Sequence, residues 1–275
     1  MPAIMTIDLA ALVDPVRCIA QDASHRILEI YAGNFSVTEK ANKTPLTEAD
    51  MAADERIIRG LTKLTPEIPI LSEEGADISF AVRNEWEWLW LVDPLDGTRE
   101  FVKRNGQFCV NIALIHNHTA IFGLILIPVT GVCYFAYRQG GAFKQLPDHK
   151  PNSIHTRHIG HEPIRVAGSR SYAGSALQTY LEYLGQHHYV GVGSALKSCL
   201  VAEGKIDLYP RFGPTCEWDT AAAQILVEEA GGRLTDTHMQ PLRYNTRPTL
   251  INPDFFAFGD PSYDWSRFLP NRDKS

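Results

Sequence analysis

The sequence predicts an α/β sandwich in two lobes. Three observations predict it: helical periodicity near the N-terminus, a series of short apolar strands with turn signals in the middle, and alternating strands and helices towards the C-terminus. At a usual size of ~150 residues per domain, 275 residues correspond to one large domain or two closely joined ones. The 44% hydrophobic and 21% charged residues exclude a disordered, collagen-like or coiled-coil chain.

Two helices and a sheet are predicted for the first half of the chain. Asp14-Pro15 is typical of a helix start, and apolar residues recur at three- and four-residue steps from there until Gly33 ends the helix. A second helix is predicted from Thr47 to about Leu61. Turn signals between the following apolar segments favour an antiparallel sheet. These predicted strands lie at 68–74, 88–92, 109–115, 120–127 and 132–136.

A change of composition divides the chain. Residues 145–163 are polar and rich in Pro, Asn and His, so we predict a boundary there, with an N-terminal α+β lobe at 1–155 and a C-terminal α/β lobe at 156–275. Strands and helices alternate in the second lobe, which is typical of a mixed α/β layer. Its predicted strands lie at 165–168 and 206–209, and its predicted helices at 175–184, 195–203 and 220–230.

Charge and the N-terminal sequence exclude several classes of protein. The net charge is −6 and the pI about 5.9, whereas a duplex-DNA-binding domain usually has a basic surface and a pI above ~9. The first residues lack the basic region of a signal peptide, and the longest apolar run, 120–137, is too short and too interrupted for a transmembrane helix. The five cysteines form no CxxC pair, which favours packing roles in a reducing cytoplasm.

The clearest chemical signal is the run DPLDGT at 93–98, which directly follows the apolar strand 88–92. A Pro/Gly turn at the end of a buried strand would expose the carboxylates of Asp93 and Asp96, with the carbonyl of Leu95 between them. Carboxylate and carbonyl oxygens are the ligands that Mg²⁺ prefers. The alternative is a simple turn in which Asp93 bonds its own backbone.

Further acids lie at the ends of other predicted elements. Glu73 and Glu74 end a second apolar strand, and Asp219 lies where a helix is predicted to begin. An acid at that point is typical of a helix N-cap, but a helix N-terminus also favours phosphate, so the two roles are compatible. Asp50 has a comparable alternative, because Thr47-x-x-Asp50 is a variant of the capping box.

Several motifs together resemble a known family. PLTEAD, LSEEG, WLVDPLDGT and WDTAAA, in that order and spacing, resemble the inositol monophosphatase family of metal-dependent, lithium-inhibited phosphatases. The fold this implies is the layered α/β sandwich of inositol monophosphatases and sugar phosphatases. The runs DPLDGTREFVKRNGQFCVNIALI, GSALKSCLVAEG and LYPRFGPTCEWDTAA are most similar to the branch that hydrolyses 3′(2′),5′-bisphosphate nucleotides.

The resemblance implies a metal centre with two or three Mg²⁺ ions. Glu73, Asp93 and the carbonyl of Leu95 would bind one ion. Asp93, Asp96 and Asp219 would bind a second, so that Asp93 bridges the pair. Two such ions can clamp the attacking and leaving oxygens of an in-line displacement. On this hypothesis the lobe at 1–155 carries most of the metal ligands, and the lobe at 156–275 carries Asp219 and the substrate contacts.

The resemblance also implies residues for the water and the phosphate. Asp50 and Thr98 would orient and deprotonate the attacking water, a general-base contribution of ~10²–10⁴-fold. Gly97, which has no Cβ, would allow the backbone to approach the phosphate. Thr98 and four residues of the metal centre would contact the same phosphate, the four being Glu73, Leu95, Asp96 and Asp219.

The nucleotide contacts follow from the same branch of the family. Ser194, Lys197 and Arg211 stand where that branch has a serine, a lysine and an arginine that bind substrate. Ser169 and Tyr172 belong to SRSY, where the branch usually has SRSH, so an aromatic ring able to stack on adenine replaces a histidine. On the residues alone, the alternative is a helix start and two solvated charges.

The function implied is Mg²⁺-dependent removal of the 3′-phosphate of adenosine 3′,5′-bisphosphate, giving AMP and phosphate, in sulfur assimilation. Activity on the corresponding phosphosulfate, PAPS to APS, is left open. Two alternatives remain: a phosphatase for inositol or sugar monophosphates on the same fold, and a nucleotide-binding regulator without turnover. The predicted partner is a small molecule rather than duplex nucleic acid.

Location and assembly are less constrained by the sequence. A cytoplasmic monomer or homodimer is expected. Members of this branch are often placed at the cytoplasmic face of the inner membrane, but this sequence contains no polybasic run or basic amphipathic helix that would attach it there.

Overall fold

The computed structural model describes residues 7–39, 45–160, 162–170 and 174–270. Helices within these ranges are α1 (Leu9–Ala32), α2 (Glu48–Leu64), α3 (Phe80–Arg83), α4 (Thr98–Val102), α5 (Ser175–Leu184), α6 (Leu196–Ala202) and α7 (Glu217–Glu229). Two short 3₁₀ turns, Glu73–Gly75 and Trp265–Phe268, complete the helical structure. No helix in the described ranges combines the length and the apolar character needed to cross a membrane.

Strands form one small and two large sheets. The strands are β1 (Val37–Glu39), β2 (Pro45–Thr47), β3 (Ile70–Ser72), β4 (Trp88–Asp96), β5 (Cys109–His116), β6 (Thr119–Ile127), β7 (Val132–Tyr137), β8 (Gly141–Gln145), β9 (Asn152–Ser153), β10 (Ile164–Gly168), β11 (His187–Gly191), β12 (Leu208–Arg211), β13 (Arg233–Asp236) and β14 (Phe255–Phe258).

The first large sheet has seven strands in the order β3-β4-β5-β6-β7-β8-β9. Strands β3 and β4 are parallel, and every later pair is antiparallel, as the turn signals predict. The second large sheet has five strands in the order β11-β10-β12-β14-β13, with parallel pairs at the β11 edge and antiparallel pairs at the other. The predicted α/β class is therefore confirmed.

The helices and large sheets form five layers. Helices α1 and α2 bury their apolar stripes, with Val16 and Ile57 fully buried, against one face of the seven-stranded sheet. Helices α6 and α7 lie between the two large sheets and share a single core with both. Helix α5 and the turn at Trp265–Phe268 cover the outer face of the five-stranded sheet. A helix from the second half of the chain thus completes the core of the first sheet.

Helix α1 begins earlier than Asp14, so that part of the prediction is wrong. Asp8 is the N-cap, and its carboxylate accepts hydrogen bonds from the backbone N–H groups of Ala10 and Ala11. Pro15 lies inside the helix, where it removes one backbone hydrogen bond. The helix continues through it because the apolar stripe on both sides of the proline is buried in the core.

Several other boundaries differ from the predictions. Helix α7 begins at Glu217 rather than at 220, so Asp219 lies inside its first turn. The strand predicted at 206–209 is displaced two residues, to Leu208–Arg211. Seven strands were not predicted, because their short segments show little period-2 alternation: β1, β2, β8, β9, β11, β13 and β14. Strand β11, for example, is exposed at three successive residues.

A buried carboxylate joins the strands of the second sheet. Asp207 is 1% exposed and accepts hydrogen bonds from the guanidinium of Arg157, at 2.6 and 3.1 Å, and from the backbone N–H of Arg165 at 2.8 Å. Burial acts to raise the pKa of Asp207, but the hydrogen bonds from Arg157 and Arg165 outweigh it, and the pKa lies below its usual value. The charged carboxylate therefore stabilises the fold.

We expect Asp207→Asn to lower the free energy of unfolding by ~1–3 kcal/mol at pH 7, because it weakens charge-assisted hydrogen bonds. Since folding depresses the pKa, this contribution is present above the unfolded-state pKa of ~3.9 and is lost as pH falls through the folded-state value. Urea unfolding at pH 7 and pH 3.5 measures the difference, which should shrink at the lower pH. Asp14→Asn, at an exposed surface pair, should change stability by less than ~1 kcal/mol; an equal effect of both variants would contradict the assignment.

Candidate active site

A cavity of about 280 Å³ opens where the C-terminal end of β4 meets the first turns of α6 and α7. Both large sheets contribute to its wall. The structure brings most of the predicted site residues together there: Glu73, Asp93, Leu95, Asp96, Gly97, Thr98, Ser169, Ser194, Lys197, Arg211 and Asp219 all line the cavity. Tyr172 lies outside the described residues, so its predicted role stays a prediction.

A β-bulge explains how the two aspartates of DPLDGT reach one side of the sheet. In a regular strand, residues three apart point to opposite faces. Here Asp93 is paired with Asn111 and Asp96 with Cys109, so three steps along β4 match two steps along β5. The extra residue reverses the alternation, and all four side chains lie on the face towards α7. The Pro/Gly turn thus directs both carboxylates into the cavity.

Three acids from separate elements form a compact cluster. Glu73 starts the 3₁₀ turn after β3, which runs parallel to β4, and Asp219 is the third residue of α7. Ligand oxygens of Glu73, Asp93 and Asp219 all lie within 4.8 Å of one another. A donor set made only of carboxylate oxygens fits a hard divalent cation such as Mg²⁺. The cluster can therefore hold a metal ion.

The acids of the cluster disfavour one another's ionisation. Burial raises the pKa of Asp93 well above its usual value, and the charges of Glu73 and Asp96 raise it further. Burial and the charge of Asp96 raise the pKa of Asp219 to about 8. Without a cation, charge must be removed from this cluster by protons. A bound cation would stabilise the ionised carboxylates and release those protons.

Asp96 lies beside this cluster rather than inside it. Its Oδ2 accepts hydrogen bonds from the backbone N–H of Ala195 at 2.5 Å and from the side-chain amide of Asn111 at 3.3 Å. Burial raises the pKa of Asp96, although the nearby ammonium of Lys197 opposes the effect. The protein therefore engages one oxygen of the predicted metal ligand, and the bond to Ala195 connects the two halves of the cavity.

The predicted pair Asp50 and Thr98 is in contact. The hydroxyl of Thr98 lies 3.1 Å from Oδ1 of Asp50 and 3.4 Å from the carbonyl oxygen of Leu95. The capping box is present as well, since Oδ2 of Asp50 accepts hydrogen bonds of 2.7 Å from both the N–H and the hydroxyl of Thr47. Thr98 lines the cavity whereas Asp50 lies behind it, so Asp50 reaches the cavity through the threonine.

The turn itself combines a structural and a chemical role. Oδ1 of Asp93 accepts the backbone N–H of Leu95 at 3.0 Å, so the simple turn considered as the alternative is also present. Gly97 has a φ of 96° in the left-handed region, and a Cβ there would lie 3.2 Å from the carbonyl oxygen of Gln107 and 3.3 Å from Cβ of Ser194. A side chain at position 97 would therefore strain the turn and crowd the loop that closes the cavity.

Lys197 is not the solvated charge that the residue-based alternative describes. Its side chain is buried, and its ammonium donates to the carbonyl oxygens of Ser194 at 2.6 Å and Val192 at 3.4 Å. The ammonium also lies 5.0 Å from the centre of the Tyr209 ring. Burial lowers the pKa of Lys197 to about 8, against the opposing charge of Asp96. Lys197 therefore holds the loop at 192–195 in addition to lining the cavity.

Arg211 ends β12 on the wall that the second sheet contributes. Its guanidinium donates to the carbonyl oxygen of Pro214 at 3.0 Å, while its buried Nε has no hydrogen-bond partner in the described part of the chain. Ser194 has a left-handed φ of 50° and turns the loop into the cavity between Gly97 and Lys197. These cationic and polar groups line the same cavity as the acids.

Sequence reasoning missed several residues of the cavity wall. Arg99 and Glu100 directly follow Thr98, and their position after the motif was a signal that could have identified them. Tyr209 and Phe255 come from strands of the second sheet, and Thr215 precedes α7. No local pattern marks these three, because only the tertiary fold brings them to the cavity.

Comparisons with known proteins agree with this geometry. Residues 11–257 match the inositol monophosphatase family. The chain belongs to the inositol monophosphatase family. The family resemblance predicted from the motifs is thus confirmed, and the family's metal dependence fits the acidic cluster.

Relatives within the inositol monophosphatase family are similar over almost their whole length. The 3′(2′),5′-bisphosphate nucleotidase CysQ of Escherichia coli K12 is 44% identical over 246 residues, which cover 89% of this chain and 98% of that protein. CysQ of Haemophilus influenzae is 40% identical over 256 residues, covering 92% and 95%. The crystal structure of CysQ from Bacteroides thetaiotaomicron superposes with a TM-score of 0.79 at 38% identity, covering 90% of this chain and 97% of that one.

We expect the metal-free protein to lose stability as pH rises from ~4, near the unfolded-state pKa of a carboxyl, to about 8, the pKa of Asp219. A carboxyl whose pKa is raised on folding keeps its proton in the folded state after the unfolded chain has lost it, so stability falls with pH. Asp93→Asn should reduce this loss, by up to ~1.4 kcal/mol per pH unit for one group. Thermal unfolding in excess chelator, followed across that pH range, measures it.

Divalent metal provides the second half of this test. Mg²⁺ should raise the melting temperature of the native chain by several degrees, since ~2.7 kcal/mol of stabilisation accompanies a concentration 100 times the Kd. Asp93→Asn should lose most of that increase. Asp77→Asn, at an exposed position near the cluster, is the matched control and should respond to pH and Mg²⁺ as the native chain does. If neither pH nor Mg²⁺ changes the melting temperature of the native chain, the cluster binds no cation.

Proposed function

We propose that this protein hydrolyses the 3′-phosphate of adenosine 3′,5′-bisphosphate in a Mg²⁺-dependent reaction that gives AMP and phosphate. The observation that carries the proposal is the composition of the cavity. Carboxylates suited to a cation and the cationic side chains of Lys197 and Arg211 line one and the same cavity. A substrate with two phosphates fits such a cavity, and the similar CysQ proteins are named as nucleotidases for that class of compound.

The acids would hold the metal that the reaction needs. Glu73, Asp93 and Asp219 already lie within ligand distance of one another, and Asp96 and the Leu95 carbonyl line the same cavity. When bound there, Mg²⁺ supplies charge neutralisation for the phosphate and lowers the pKa of water. We propose that two or three ions bind there, as the family resemblance implies.

Thr98 and Asp50 would accept the proton that the attacking water loses. The hydroxyl of Thr98 donates to the Asp50 carboxylate at 3.1 Å, so its oxygen is left to accept a hydrogen bond from water in the cavity. As the water oxygen bonds to phosphorus and the bond between phosphorus and the 3′ oxygen breaks, the water proton passes to Thr98 and from Thr98 to Asp50. The leaving oxygen takes a proton from solvent, and no protein residue is phosphorylated.

Arg211 and Lys197 would bind the phosphate that remains. Arg211 lines the cavity, and its hydrogen bond of 3.0 Å to the carbonyl oxygen of Pro214 holds the guanidinium there, where it can meet an anion. Arginine can donate two parallel hydrogen bonds to a phosphate, whereas lysine acts as a compact point charge. Ser169 and Ser194 lie on the same wall and offer hydroxyl groups to the nucleotide. On this proposal the residues named here determine which substrate binds, and the acids carry out the hydrolysis.

The cellular role proposed follows from the substrate. Adenosine 3′,5′-bisphosphate is a product of sulfate activation, so we place the enzyme in sulfur assimilation. PAPS carries the same 3′-phosphate and is a second candidate substrate. The five cysteines are not joined in disulfides, in keeping with a reducing cytoplasm.

A phosphate-release assay with three substrates tests the proposal. We expect kcat/KM for adenosine 3′,5′-bisphosphate to exceed that for inositol 1-phosphate and fructose 1,6-bisphosphate by at least ~100-fold, because the first lacks a second phosphate and the second lacks the nucleoside that Ser169 and Ser194 would bind. Activity should vanish in excess chelator and return with Mg²⁺. Preference for inositol 1-phosphate, or full activity in chelator, would refute the proposed substrate or the proposed mechanism respectively.

Arg211→Ala separates binding of the second phosphate from catalysis. Loss of a charged hydrogen bond of ~1.5–3 kcal/mol should lower kcat/KM for the nucleotide by ~10–150-fold, mainly through KM. Any hydrolysis of a monophosphate should be nearly unchanged. Arg233→Ala, which removes an exposed arginine far from the cavity, is the control and should affect neither substrate. Equal loss on both substrates would mean that Arg211 is structural or catalytic.

A further inference from the structure

Asp96 is held through only one of its two oxygens. Two N–H donors reach Oδ2: the Ala195 N–H at 2.5 Å and the Asn111 side-chain amide at 3.3 Å. The Cys109 sulfur lies 3.6 Å from Oδ2 and 3.4 Å from Oδ1 of Asn111, and its single thiol hydrogen can be donated to one of these two oxygens. Within the described part of the chain, no donor contacts Oδ1 of Asp96. A carboxylate fixed in this way can present its second oxygen in one orientation.

The orientation of the Asn111 amide is itself determined. The Cys109 thiol lies 3.4 Å from Oδ1 of Asn111, so the amide oxygen faces the sulfur and the amide nitrogen faces Asp96. Asn111 is 1% exposed and Cys109 is fully buried, so neither side chain is free to turn into solvent. The two residues form a chain of hydrogen bonds that ends at the carboxylate.

The position of this polar pair argues against a purely structural role. Strand β5 is otherwise apolar over 109–115, and burying an unpaired amide costs ~1–3 kcal/mol. Asn111 is the cross-strand partner of Asp93 and Cys109 that of Asp96, so the pair lies directly opposite the bulge that carries both aspartates. An apolar side chain at position 111 would pack the sheet but would leave Oδ2 of Asp96 with one donor fewer.

We propose that Asn111 and Cys109 are positioning residues that orient the Asp96 carboxylate for metal binding. They act through Asp96 and contact neither the metal nor the substrate. The inference rests on the proposed function for its importance to catalysis, but not for its test. Partners of this kind, which hydrogen-bond a metal ligand, typically change metal affinity by 10–100-fold when removed.

Mn²⁺ binding to the full-length, chelator-treated protein tests the proposal by isothermal titration calorimetry. Asn111→Ala should weaken Mn²⁺ binding by ~10–100-fold. Cys109→Ala should also weaken it, whereas Cys109→Ser keeps a hydrogen-bond donor and should restore the affinity to within about threefold of the native chain. In activity assays, the Mg²⁺ concentration for half-maximal rate should rise for Asn111→Ala while the KM for the nucleotide stays the same.

Val110→Ala is the matched control. Val110 is fully buried in the same strand but points to the opposite face, among the residues packed by α1 and α2. The variant should lose stability and bind Mn²⁺ as the native chain does. If Val110→Ala weakens Mn²⁺ binding as much as Asn111→Ala, or if Asn111→Ala and Cys109→Ala bind with native affinity, the proposal is overturned.

The titration also separates this inference from the proposed function. It uses the metal alone, so a native protein that binds Mn²⁺ but does not hydrolyse adenosine 3′,5′-bisphosphate would refute the proposed function only. If Asn111→Ala does not fold, as far-UV circular dichroism would show, the comparison of Cys109→Ala with Cys109→Ser still decides the outcome. Equal affinity of those two variants would overturn the proposal.

Discussion

The site depends on one electrostatic constraint, the crowding of buried carboxylates around Asp93. Burial and the neighbouring acids both oppose the charge on this side chain, so the metal-free fold accommodates the cluster only by keeping protons on it. A protein selected for stability alone would replace such a group with an apolar residue. The cluster instead makes a divalent cation the natural counter-charge, and the stability of the folded chain becomes coupled to metal binding.

A bulge in one strand and the ends of neighbouring elements bring these acids together. The bulge in β4 places Asp93 and Asp96 on one face, β3 brings Glu73 alongside, and the first turn of α7 supplies Asp219. Each acid therefore stands at the end of a rigid element rather than on a long loop, which limits its positional freedom. The same residues also satisfy local backbone groups, as Asp219 does for the N–H of Cys216 at 2.8 Å. Asp219 is therefore both a helix cap and a candidate metal ligand.

Periodicity and turn signals were sufficient to predict the fold class. The motif at 93–98 and the order of the acids predicted an acidic site through the family resemblance, which also assigned Asp50 and Thr98 to one role. Short motifs carry this information because strand ends and helix starts have strong local signatures. The burial of Lys197 and the role of Asn111 could not be predicted, because each depends on partners far away in sequence or on an adjacent strand. The early start of α1 was missed because Pro15 suggested a boundary that core packing overrides.

Residues from both large sheets line the cavity, and the two groups of residues differ in chemistry. The seven-stranded sheet and its bulge supply most of the acids, while the second half of the chain supplies Asp219 and the cationic wall. Helix α7 packs against both sheets, and the hydrogen bond from Ala195 to Asp96 joins the same two halves at the cavity. A shift of one sheet against the other would therefore disturb the acids and the cationic wall together. Changes confined to the second wall would alter which substrate is held, since they leave Glu73 and Asp93 in place.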